Sequence, residues 1–340
     1  QDLGSVPYPY ILTASCEQAL KDIAEHYRRS LDLKVVGISG SVGKTSTKEM
    51  IASVLSQKYH VLKTEGNFNN EIGLPLTVFN IRDEHEIAVL EMGISGFGEM
   101  TRLAKIARPD DDKLRAYTPE NGIAPVYFGL GPSCSFRAEH IVSHGLKGTD
   151  AEFVTPASRF SARIHIPGSH MVSNALAGIA VGYALGMKDE DIARGIEANV
   201  PIQGRSNLIE TSKYTVIDDC YNANPASMKA SLDVLSCADT RTVAVLGDMF
   251  ELGKDSQKMH YDVGVHAVNA GIDVLVCIGE LTADTARGAQ DMAREIARPV
   301  QILHFASIDA FFGQADRLLK EKDTLLVKAS HAMDFSKIIE

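Results

Sequence analysis

The feature that most constrains this sequence is a glycine-rich turn between an apolar strand pattern and a helical pattern. From residue 35 the chain reads VVGISGSVGKTSTKEMIASVL, with β-branched residues first and a helical period of apolar residues afterwards. Backbone N–H groups of such a turn can bind phosphate oxygens, and the start of the helix adds a partial positive charge. The order of strand, turn and helix predicts a nucleotide site. It disfavours the alternative, which is a glycine-rich turn with a chance Lys-Thr pair.

Two residues of the turn have specific expected roles. Lys44 is placed to reach the outer phosphates of a nucleotide, and the Thr45 hydroxyl is placed to hold Mg²⁺. The usual phosphate loop has a glycine five positions before its Gly-Lys pair, whereas this sequence has Ile38 there and glycines at 37, 40 and 43. This glycine spacing distinguishes the loop from the usual phosphate loop and indicates a particular subclass of phosphate-loop proteins.

Strand and helix patterns alternate in two stretches of the chain, residues 33–107 and residues 206–328. Such alternation predicts parallel sheets with helices on both faces. Residues 111–165 hold short strand patterns between glycine, proline and serine turns, which favour an antiparallel insert or flank. The predicted fold class is α/β, with a central P-loop-type, doubly wound ATPase domain (32–200) followed by a Rossmann-like C-terminal domain (201–340).

The composition argues against several classes of function. The chain has 340 residues and a net charge of −10, so non-specific binding of nucleic acid is not expected. No apolar stretch is long enough to span a membrane, and the N-terminal segment QDLGSVPYPYILTASC is not expected to be a signal peptide. The five cysteines form no Cys-x-x-Cys pair. We expect them to be reduced and mostly buried in a cytoplasmic protein.

Polar residues follow the strand patterns nearest to the glycine-rich turn. Glu91 ends the apolar strand IAVLE, and the carboxyl ends of strands face the ligand crevice in doubly wound sheets. We therefore expect Glu91 to bind Mg²⁺ at the ATP phosphates, although a strand-end carboxylate can also simply face solvent. The loop TEGNFNNEIGLPL holds Asn67, Asn69 and Asn70, which are candidate ligand contacts, although a solvated turn can have the same composition.

Strand patterns of the second stretch also end in polar residues. The segment DDCYNANP holds two carboxylates and two amides that could hold a ribose or an incoming amine, and these are Asp218, Asp219, Asn222 and Asn224. Asn224 followed by Pro225 is also typical of a helix N-cap, and the two interpretations are compatible. Asp248 in LGDMFELG, and Lys328 and Ser330 in LLVKAS, are weaker candidates for substrate contacts.

Six segments together, in this order, resemble the Mur ligase superfamily of ATP-dependent amide ligases, and within it the MurF branch. The segments are GSVGKTSTKEM, TEGNFNNEIGLPLT, LEMGISGFGEM, DDCYNANPASM, LGDMFELG and LLVKAS, and the resemblance covers about residues 10–340. It implies a ligase that joins D-alanyl-D-alanine to UDP-N-acetylmuramoyl-tripeptide through an acyl phosphate, with ATP and Mg²⁺. That reaction belongs to peptidoglycan synthesis, and so to cell-wall biogenesis, cell shape and cell division. The implied partners are these small molecules, without nucleic acid or a membrane span, and we expect a monomer.

The resemblance also implies roles for residues at matching positions. Lys44, Glu91 and Arg205 are expected to be catalytic, with Arg205 at the γ-phosphate, and Thr45 and Glu91 to hold Mg²⁺. Asn67 and Asn174 are expected near the adenine, and Asp219 at the ribose. The implied ATP-binding residues are Gly40, Ser41, Val42, Gly43, Lys44, Thr45, Ser46, Asn67, Asn174, Arg205 and Asp219. The candidate substrate-binding residues are Asn69, Asn70, Tyr221, Asn222, Asn224, Asp248, Lys328 and Ser330.

The sequence departs from the family pattern in two main ways. The family begins with a domain that holds the UDP-sugar, and residues 1–31 here resemble only its exit segment. After ARPD the family continues with a catalytic histidine and a lysine that becomes carbamylated and supports a second Mg²⁺. Here Asp110 is followed directly by DDKLR, so those residues are either omitted from this sequence or deleted from the protein. Smaller departures are Met171, where relatives often have Asn, and His331, where they often have Arg.

Three other functions fit part of these observations. Another ligase of the superfamily, such as folylpolyglutamate synthase, has a similar phosphate loop, although NFNNEIG and DCYNANP favour the MurF branch. A phosphate-loop kinase or NTPase would turn over ATP without needing both a carboxylate and an amine. A non-catalytic nucleotide-binding fragment would not turn over ATP.

Overall fold

The computed structural model describes residues 9–94, 96–108 and 126–339. The chain divides into two compact units, the first made of residues 1–137 and 174–196 and the second of residues 138–173 and 197–340. The division falls inside one strand and two helices. The expected domain bounds after residues 31 and 200 stay a prediction, and the junction at Asp110–Asp111 lies outside the described residues.

The first unit contains strands that alternate with helices, as the sequence predicts. Its elements are α1 (Cys16–Ser30), β1 (Lys34–Ile38), α2 (Lys44–Leu55), β2 (Val61–Lys63), α3 (Gly73–Val78), β3 (Ile87–Glu91), α4 (Glu99–Ala107), β4 (Phe128–Gly129), the start of β5 (Phe136–Ser143), most of α5 (His170–Ala184) and α6 (Asp189–Glu197). The strand order is β1-β3-β2, and both neighbours of β3 pair with it in parallel.

Alternation along β3 gives the two faces of this sheet different partners. Ala88 and Leu90 belong to a buried cluster with residues of α1, α3 and α4, among them Val78 and Leu103. Glu91 has the opposite orientation, and its carboxylate meets α2. Helices therefore lie on both faces of the sheet, and a carboxylate is buried beside the helix that follows the glycine-rich turn.

Helix α1 is held by polar contacts as well as by packing. The Ser15 hydroxyl caps the helix and accepts a hydrogen bond from the Gln18 N–H at 3.2 Å. The Lys21 ammonium donates to the Glu71 carboxylate at 2.7 Å, and Arg102 contacts the same carboxylate. These hydrogen bonds, chiefly the one from Lys21, hold the pKa of Glu71 below its usual value. Because the folded-state pKa is lowered, this stabilisation is present above the unfolded-state value and is lost as the pH falls through the folded-state value.

The short strands between α4 and α5 only partly match the expected antiparallel insert. The strands β6 (Thr149–Val154) and β7 (Arg159–Ile164) pair antiparallel, as expected. The strands β4 and β5 pair in parallel, so the expectation is wrong there. The reason is the loop 130–135, which returns the chain to the beginning of β4, where the Ser135 N–H donates to the Tyr127 carbonyl oxygen at 3.0 Å.

The second unit is built around a six-stranded sheet. Its elements after β7 and α6 are β8 (Asn207–Glu210), β9 (Thr215–Asp218), α7 (Pro225–Leu235), β10 (Thr242–Gly247), α8 (Ser256–Asn269), β11 (Val274–Ile278), α9 (Thr282–Glu295), β12 (Gln301–Phe305), α10 (Ile308–Leu318) and β13 (Thr324–Lys328). The strand order is β12-β11-β10-β13-β9-β8, and each neighbouring pair is parallel except β8 with β9. The predicted Rossmann-like α/β unit is confirmed.

The two faces of this sheet carry separate hydrophobic clusters. In β10, Ala244 and Leu246 pack with residues of α7, α8 and α9, whereas Val243 and Val245 pack with Phe311 of α10. Successive side chains of a strand point to opposite faces, so the two clusters use alternate residues. With helices on both faces, β10, β11 and β13 are buried along their whole length.

The cysteines do not fully match their expected burial. All five are free thiols, and Cys277 is buried, whereas Cys16 and Cys237 are exposed. The expectation of mostly buried thiols is wrong because Cys16 opens the exposed first turn of α1 and Cys237 lies in the turn after α7. In the parts of the chain given above, no helix has the combined length and apolar character that crossing a membrane requires.

Helix α6 approaches α2 so closely that Gly195 has no room for a side chain. A Cβ atom there would lie 2.4 Å from Val54 Cα and 2.9 Å from the Ser53 carbonyl oxygen. The Ser53 hydroxyl also donates to the Gly195 carbonyl oxygen at 2.7 Å. We expect Gly195→Ala to lower the free energy of unfolding by about 2 kcal/mol, because the two helices must move apart. Urea unfolding followed by circular dichroism measures the change.

The matched control is Gly313→Ala in α10, where a Cβ atom would meet nothing within 4 Å. Alanine has the higher helix propensity, so this change should raise stability by at most about 1 kcal/mol. Equal unfolding midpoints for the two variants would contradict the close approach of α6 to α2.

Candidate functional site

The predicted phosphate loop connects the end of β1 to the start of α2. Gly43 is the N-cap of α2 and has left-handed backbone with a φ of 80°, which glycine adopts without strain. The Lys44 ammonium donates to the Gly40 carbonyl oxygen at 2.9 Å, so the side chain folds back over the loop. An α-helix begins with N–H groups that have no partner inside the helix. The loop therefore combines such N–H groups with a lysine, which is the composition of a phosphate site.

Glu91 lies beside this loop, because β3 is the neighbour of β1. Its side chain is buried, with the residue only 1% exposed. Carboxylate Oε1 accepts hydrogen bonds from the Thr45 hydroxyl at 3.3 Å and from the Asn69 amide at 2.7 Å. The structure thus brings together three residues that the sequence singles out separately.

The second carboxylate oxygen of Glu91 points to a cation. Oε2 is buried and has no hydrogen-bond partner among the described residues, although buried polar atoms nearly always have one. Mg²⁺ takes oxygen ligands from one or two carboxylates and from substrate phosphates. The Thr45 hydroxyl and the Glu91 carboxylate fit that preference. A cluster of three or more His, Cys, Asp or Glu side chains able to hold a metal does not occur in the described parts of the chain.

The asparagine-rich loop contributes one of its three candidates to this site. Asn69 reaches Glu91, whereas the Asn70 side chain accepts hydrogen bonds at 3.1 and 2.8 Å from two N–H groups at the start of α3. Asn67 is exposed, and its carbonyl oxygen accepts a hydrogen bond from the Asn69 N–H at 2.7 Å. Asn70 thus shapes the loop that presents Asn69.

Asn174 is bonded to α2, the helix that begins at the phosphate loop. Its side-chain oxygen accepts a hydrogen bond from the Thr47 hydroxyl at 3.0 Å, which joins α5 to α2. Sequence reasoning missed Thr47 and also Lys48, which is fully buried beside Glu91. The available signal was spacing, since Thr45 and Lys48 are three residues apart on α2 and share a face.

In the second unit, Asp219 and Lys328 form a buried ion pair. The Lys328 ammonium lies 2.6 Å from Asp219 Oδ2, and the same oxygen accepts a hydrogen bond from the Ser231 hydroxyl at 2.5 Å. Asp219 Oδ1 accepts a hydrogen bond from the Ser206 N–H at 3.1 Å. Lys328 also donates to the Asn222 carbonyl oxygen at 3.0 Å. Both candidates are therefore already engaged within their unit.

Arg205 stacks on an aromatic ring of the same unit. Its guanidinium carbon lies 4.1 Å from the centroid of the Tyr221 ring, within the range of a cation–π interaction. The His331 ring lies 5.4 Å from the Tyr221 ring, so the three side chains form one group. The expected role of Arg205 at the γ-phosphate stays a prediction.

The segment DDCYNANP forms the turn between β9 and α7. Asn224 caps α7 in a capping box with Ser227, as the alternative interpretation predicts. Asp218 accepts a hydrogen bond from the Gly204 N–H at 2.8 Å. Asn222 is exposed, and its side chain accepts a hydrogen bond from the next N–H along the chain at 2.8 Å. Asp218 and Asn224 therefore have structural contacts, whereas Asn222 faces solvent.

The other two candidates stabilise the loop after β10. Asp248 accepts a hydrogen bond from the Thr282 N–H at the start of α9 at 2.8 Å, and the Ser330 hydroxyl accepts one from a backbone N–H of the loop at 2.9 Å. His260 is fully buried, and its Nε2 accepts a hydrogen bond from the Met249 N–H at 3.0 Å. Sequence reasoning missed His260, since a single histidine in a helix carries no motif.

Two segments of the chain match known families. Residues 38–112 match the Mur ligase middle domain, and residues 204–331 match the family described as Mur ligase, glutamate ligase domain. The chain is also 32% identical, over 381 residues, to the UDP-N-acetylmuramoyl-tripeptide–D-alanyl-D-alanine ligase of Bacillus subtilis, which covers 99% of this chain and 82% of that protein. Because 381 exceeds the 340 residues of this chain, that relative has residues without a counterpart here.

Solved structures with the same fold are also similar in sequence. A crystal structure of MurF from Acinetobacter baumannii has a TM-score of 0.84 at 27% identity, covering 97% of this chain and 81% of that chain. The MurF ligase of Thermotoga maritima in complex with ADP has a TM-score of 0.80 at 26% identity, covering 98% of this chain and 85% of that chain.

The buried pair of Lys328 and Asp219 gives a test of the second unit. We expect Lys328→Met to lower the free energy of unfolding by about 3 kcal/mol, because it leaves a buried carboxylate without its cation. Adding Asp219→Asn should recover part of this loss, since the uncompensated charge is then removed. Urea unfolding of the single and double variants measures the coupling.

Lys258→Met is the control, because Lys258 forms an exposed ion pair with Asp262 at 2.8 Å. Its loss should leave the unfolding midpoint close to that of the wild type, because exposed ion pairs contribute little to stability. A Lys328→Met variant as stable as Lys258→Met would contradict the buried pair.

Proposed function

Because the chain belongs to the Mur ligase family, we propose that it joins D-alanyl-D-alanine to UDP-N-acetylmuramoyl-tripeptide at the expense of ATP. It is a peptide-bond-forming ligase of peptidoglycan synthesis. The observation that carries this assignment is the similarity along nearly the whole chain to ligases of that name and to MurF structures. The assignment is also supported by the position of Glu91 beside the phosphate loop, where its carboxylate accepts a hydrogen bond from the Thr45 hydroxyl.

The nucleotide site is the phosphate loop, residues 40–46. The similarity to a MurF ligase in complex with ADP supports the use of ATP. The Lys44 ammonium donates a hydrogen bond to the Gly40 carbonyl oxygen at 2.9 Å. On binding, that hydrogen bond can be exchanged for phosphate oxygens, which are stronger acceptors because they are charged.

Thr45 and Glu91 are the residues that would hold Mg²⁺. The unbonded Oε2 of Glu91 and the hard-oxygen character of both side chains support this assignment. When bound, Mg²⁺ neutralises charge on the phosphates. Asn69 donates to the other oxygen of Glu91, and this fixes the rotation of the carboxylate.

The reaction requires activation of a carboxylate, which is a poor electrophile. In the mechanism we propose, an oxygen of the tripeptide carboxylate attacks the γ-phosphorus of ATP, and the bond to the β-phosphate oxygen breaks to release ADP. The amine of D-alanyl-D-alanine then attacks the acyl carbon, the C–O bond to phosphate breaks, and the amine loses a proton. The contribution of Lys44 is to orient the phosphates and to balance their charge.

The other roles implied by the resemblance remain part of the proposal. Arg205 is assigned to the γ-phosphate, Asp219 to the ribose, and Asn67 and Asn174 to the adenine region. Asp219 can accept a ribose hydroxyl only in addition to its present partners, since both of its oxygens already accept hydrogen bonds. We also propose a monomer that acts in the cytoplasm on small molecules.

The experiment that tests the function is an ADP-release assay with each substrate omitted in turn. With ATP, UDP-N-acetylmuramoyl-tripeptide and D-alanyl-D-alanine all present, ADP and the pentapeptide product should form in equal amounts. Omission of either the carboxylate or the amine substrate should reduce steady ADP release to background. Release of ADP without either acceptor would instead favour an NTPase, and product formed with glutamate and a folate would favour folylpolyglutamate synthase.

Lys44→Ala is the matched variant for this assay. It should abolish ligation, because the phosphates lose their positively charged contact, while the melting temperature without ATP stays near that of the wild type. A large loss of stability would mean that Lys44 has a structural role. Activity near the wild-type level would contradict the assignment of the phosphate loop.

A further inference from the structure

Lys48 is buried beside the proposed metal site and has no role in the function described so far. Its side chain is 1% exposed, and its ammonium lies 3.1 Å from the Glu49 carboxylate. The ammonium donates to the Thr64 carbonyl oxygen at 2.6 Å and lies 3.9 Å from Glu91 Oε2. Removing an ammonium from water costs several kcal/mol, so its burial here requires compensating contacts.

The distance from the Lys48 ammonium to Glu91 Oε2 shows how these two charged groups interact. At 3.9 Å the two charges attract, but the separation is too long for a hydrogen bond. Oε2 of Glu91 consequently stays without a hydrogen-bond partner among the described residues. The short hydrogen bond from Lys48 goes instead to Thr64. Lys48 can therefore balance the charge of Glu91 without occupying the oxygen that a cation needs.

Thr64 connects Lys48 to Glu91 by a second route. It is fully buried, and its hydroxyl accepts a hydrogen bond from the Glu91 N–H at 2.9 Å. Its own N–H donates to the Val89 carbonyl oxygen at 3.0 Å. By holding the Thr64 carbonyl, Lys48 fixes the end of β2 against the last residues of β3, from which the carboxylate projects.

We propose that Lys48 is a positioning residue for Glu91, which it holds in place with Oε2 left free for Mg²⁺. The inference rests on the proposed function, because it takes Glu91 as the metal ligand. Residues that orient a ligand in this way typically change metal affinity by about 10–100-fold. If Lys48 acted on Mg²⁺ only through the repulsion between their positive charges, it would weaken Mg²⁺ binding, and removing its charge would strengthen that binding.

The variant Lys48→Gln distinguishes the charge of residue 48 from its hydrogen bond to Thr64. The glutamine amide can still donate a hydrogen bond toward Thr64, but it carries no charge. The readout is the rise in melting temperature that Mg²⁺ adds to ADP-bound protein, measured from EDTA upward in Mg²⁺ concentration. We expect Lys48→Gln to need about tenfold more Mg²⁺ for half of this rise. The rise caused by ADP in EDTA should not change.

Two further variants make the comparison specific. Lys63→Gln is the matched control, because Lys63 also pairs with Glu49 but is partly exposed, and its Mg²⁺ titration should match the wild type. Lys48→Arg keeps the charge and should recover most of the Mg²⁺ response that Lys48→Gln loses. A loss of response in Lys63→Gln equal to that in Lys48→Gln would assign the effect to Glu49 and overturn the inference.

The outcomes for the proposed function and for this inference are distinct. If ADP-bound wild type shows no Mg²⁺ response, the metal site itself is overturned. If the wild type responds and Lys48→Gln responds equally or at lower Mg²⁺, only the positioning role is overturned. If Lys48→Gln does not fold, a crystal structure of the wild type with ADP and Mg²⁺ decides. The inference requires Glu91 on the metal with Lys48 still bonded to Thr64, and a Glu91 turned away from the metal overturns it.

Discussion

The carboxylate of Glu91 is buried at the end of a parallel strand, and the nucleotide end of the first unit is arranged around it. Burial of a carboxylate costs several kcal/mol unless hydrogen bonds and charges compensate. The compensating groups are the Thr45 hydroxyl, the Asn69 amide and the Lys48 ammonium. They come from the helix after the phosphate loop and from the asparagine-rich loop, so only the folded unit brings them to one carboxylate. Among the described residues, the second oxygen of this carboxylate has no hydrogen-bond partner, and the proposed Mg²⁺ site rests on that observation.

Much of this fold could be predicted from the sequence because its periodicity is strong. Strands such as β10 and β11 are buried on both faces and are therefore apolar almost throughout, which distinguishes them from the helices of the same unit. The pairing of β4 with β5 could not be predicted in the same way. Only two residue pairs form, and their parallel direction depends on the path of the loop 130–135 and not on a pattern of apolar residues.

The grouping of Lys44, Thr45 and Glu91 in the candidate site could be predicted where a general rule of sheet geometry applies. Glu91 follows from the rule that parallel strands end at the ligand crevice, and Lys44 follows from the glycine-rich turn. The same rule could not separate Asp248 from Glu91, since both follow apolar strands, yet the Asp248 side chain bonds to the start of α9. Lys48 was missed because a lysine within a helix normally faces solvent. Its burial depends on the position of Thr64, which only the tertiary structure fixes.

In the proposed function, Glu91 is the protein's carboxylate ligand for the Mg²⁺ of the ATP site. The most direct measurement is ligation rate against Mg²⁺ concentration for Glu91→Gln and the wild type, with ADP affinity in EDTA measured beside it. Glutamine keeps the shape and an acceptor oxygen but removes the charge. We expect the half-saturating Mg²⁺ concentration of Glu91→Gln to be at least about tenfold higher than that of the wild type, because a metal ligand has lost its charge, with ADP affinity in EDTA unchanged. Superimposable Mg²⁺ titrations for the two proteins would contradict it.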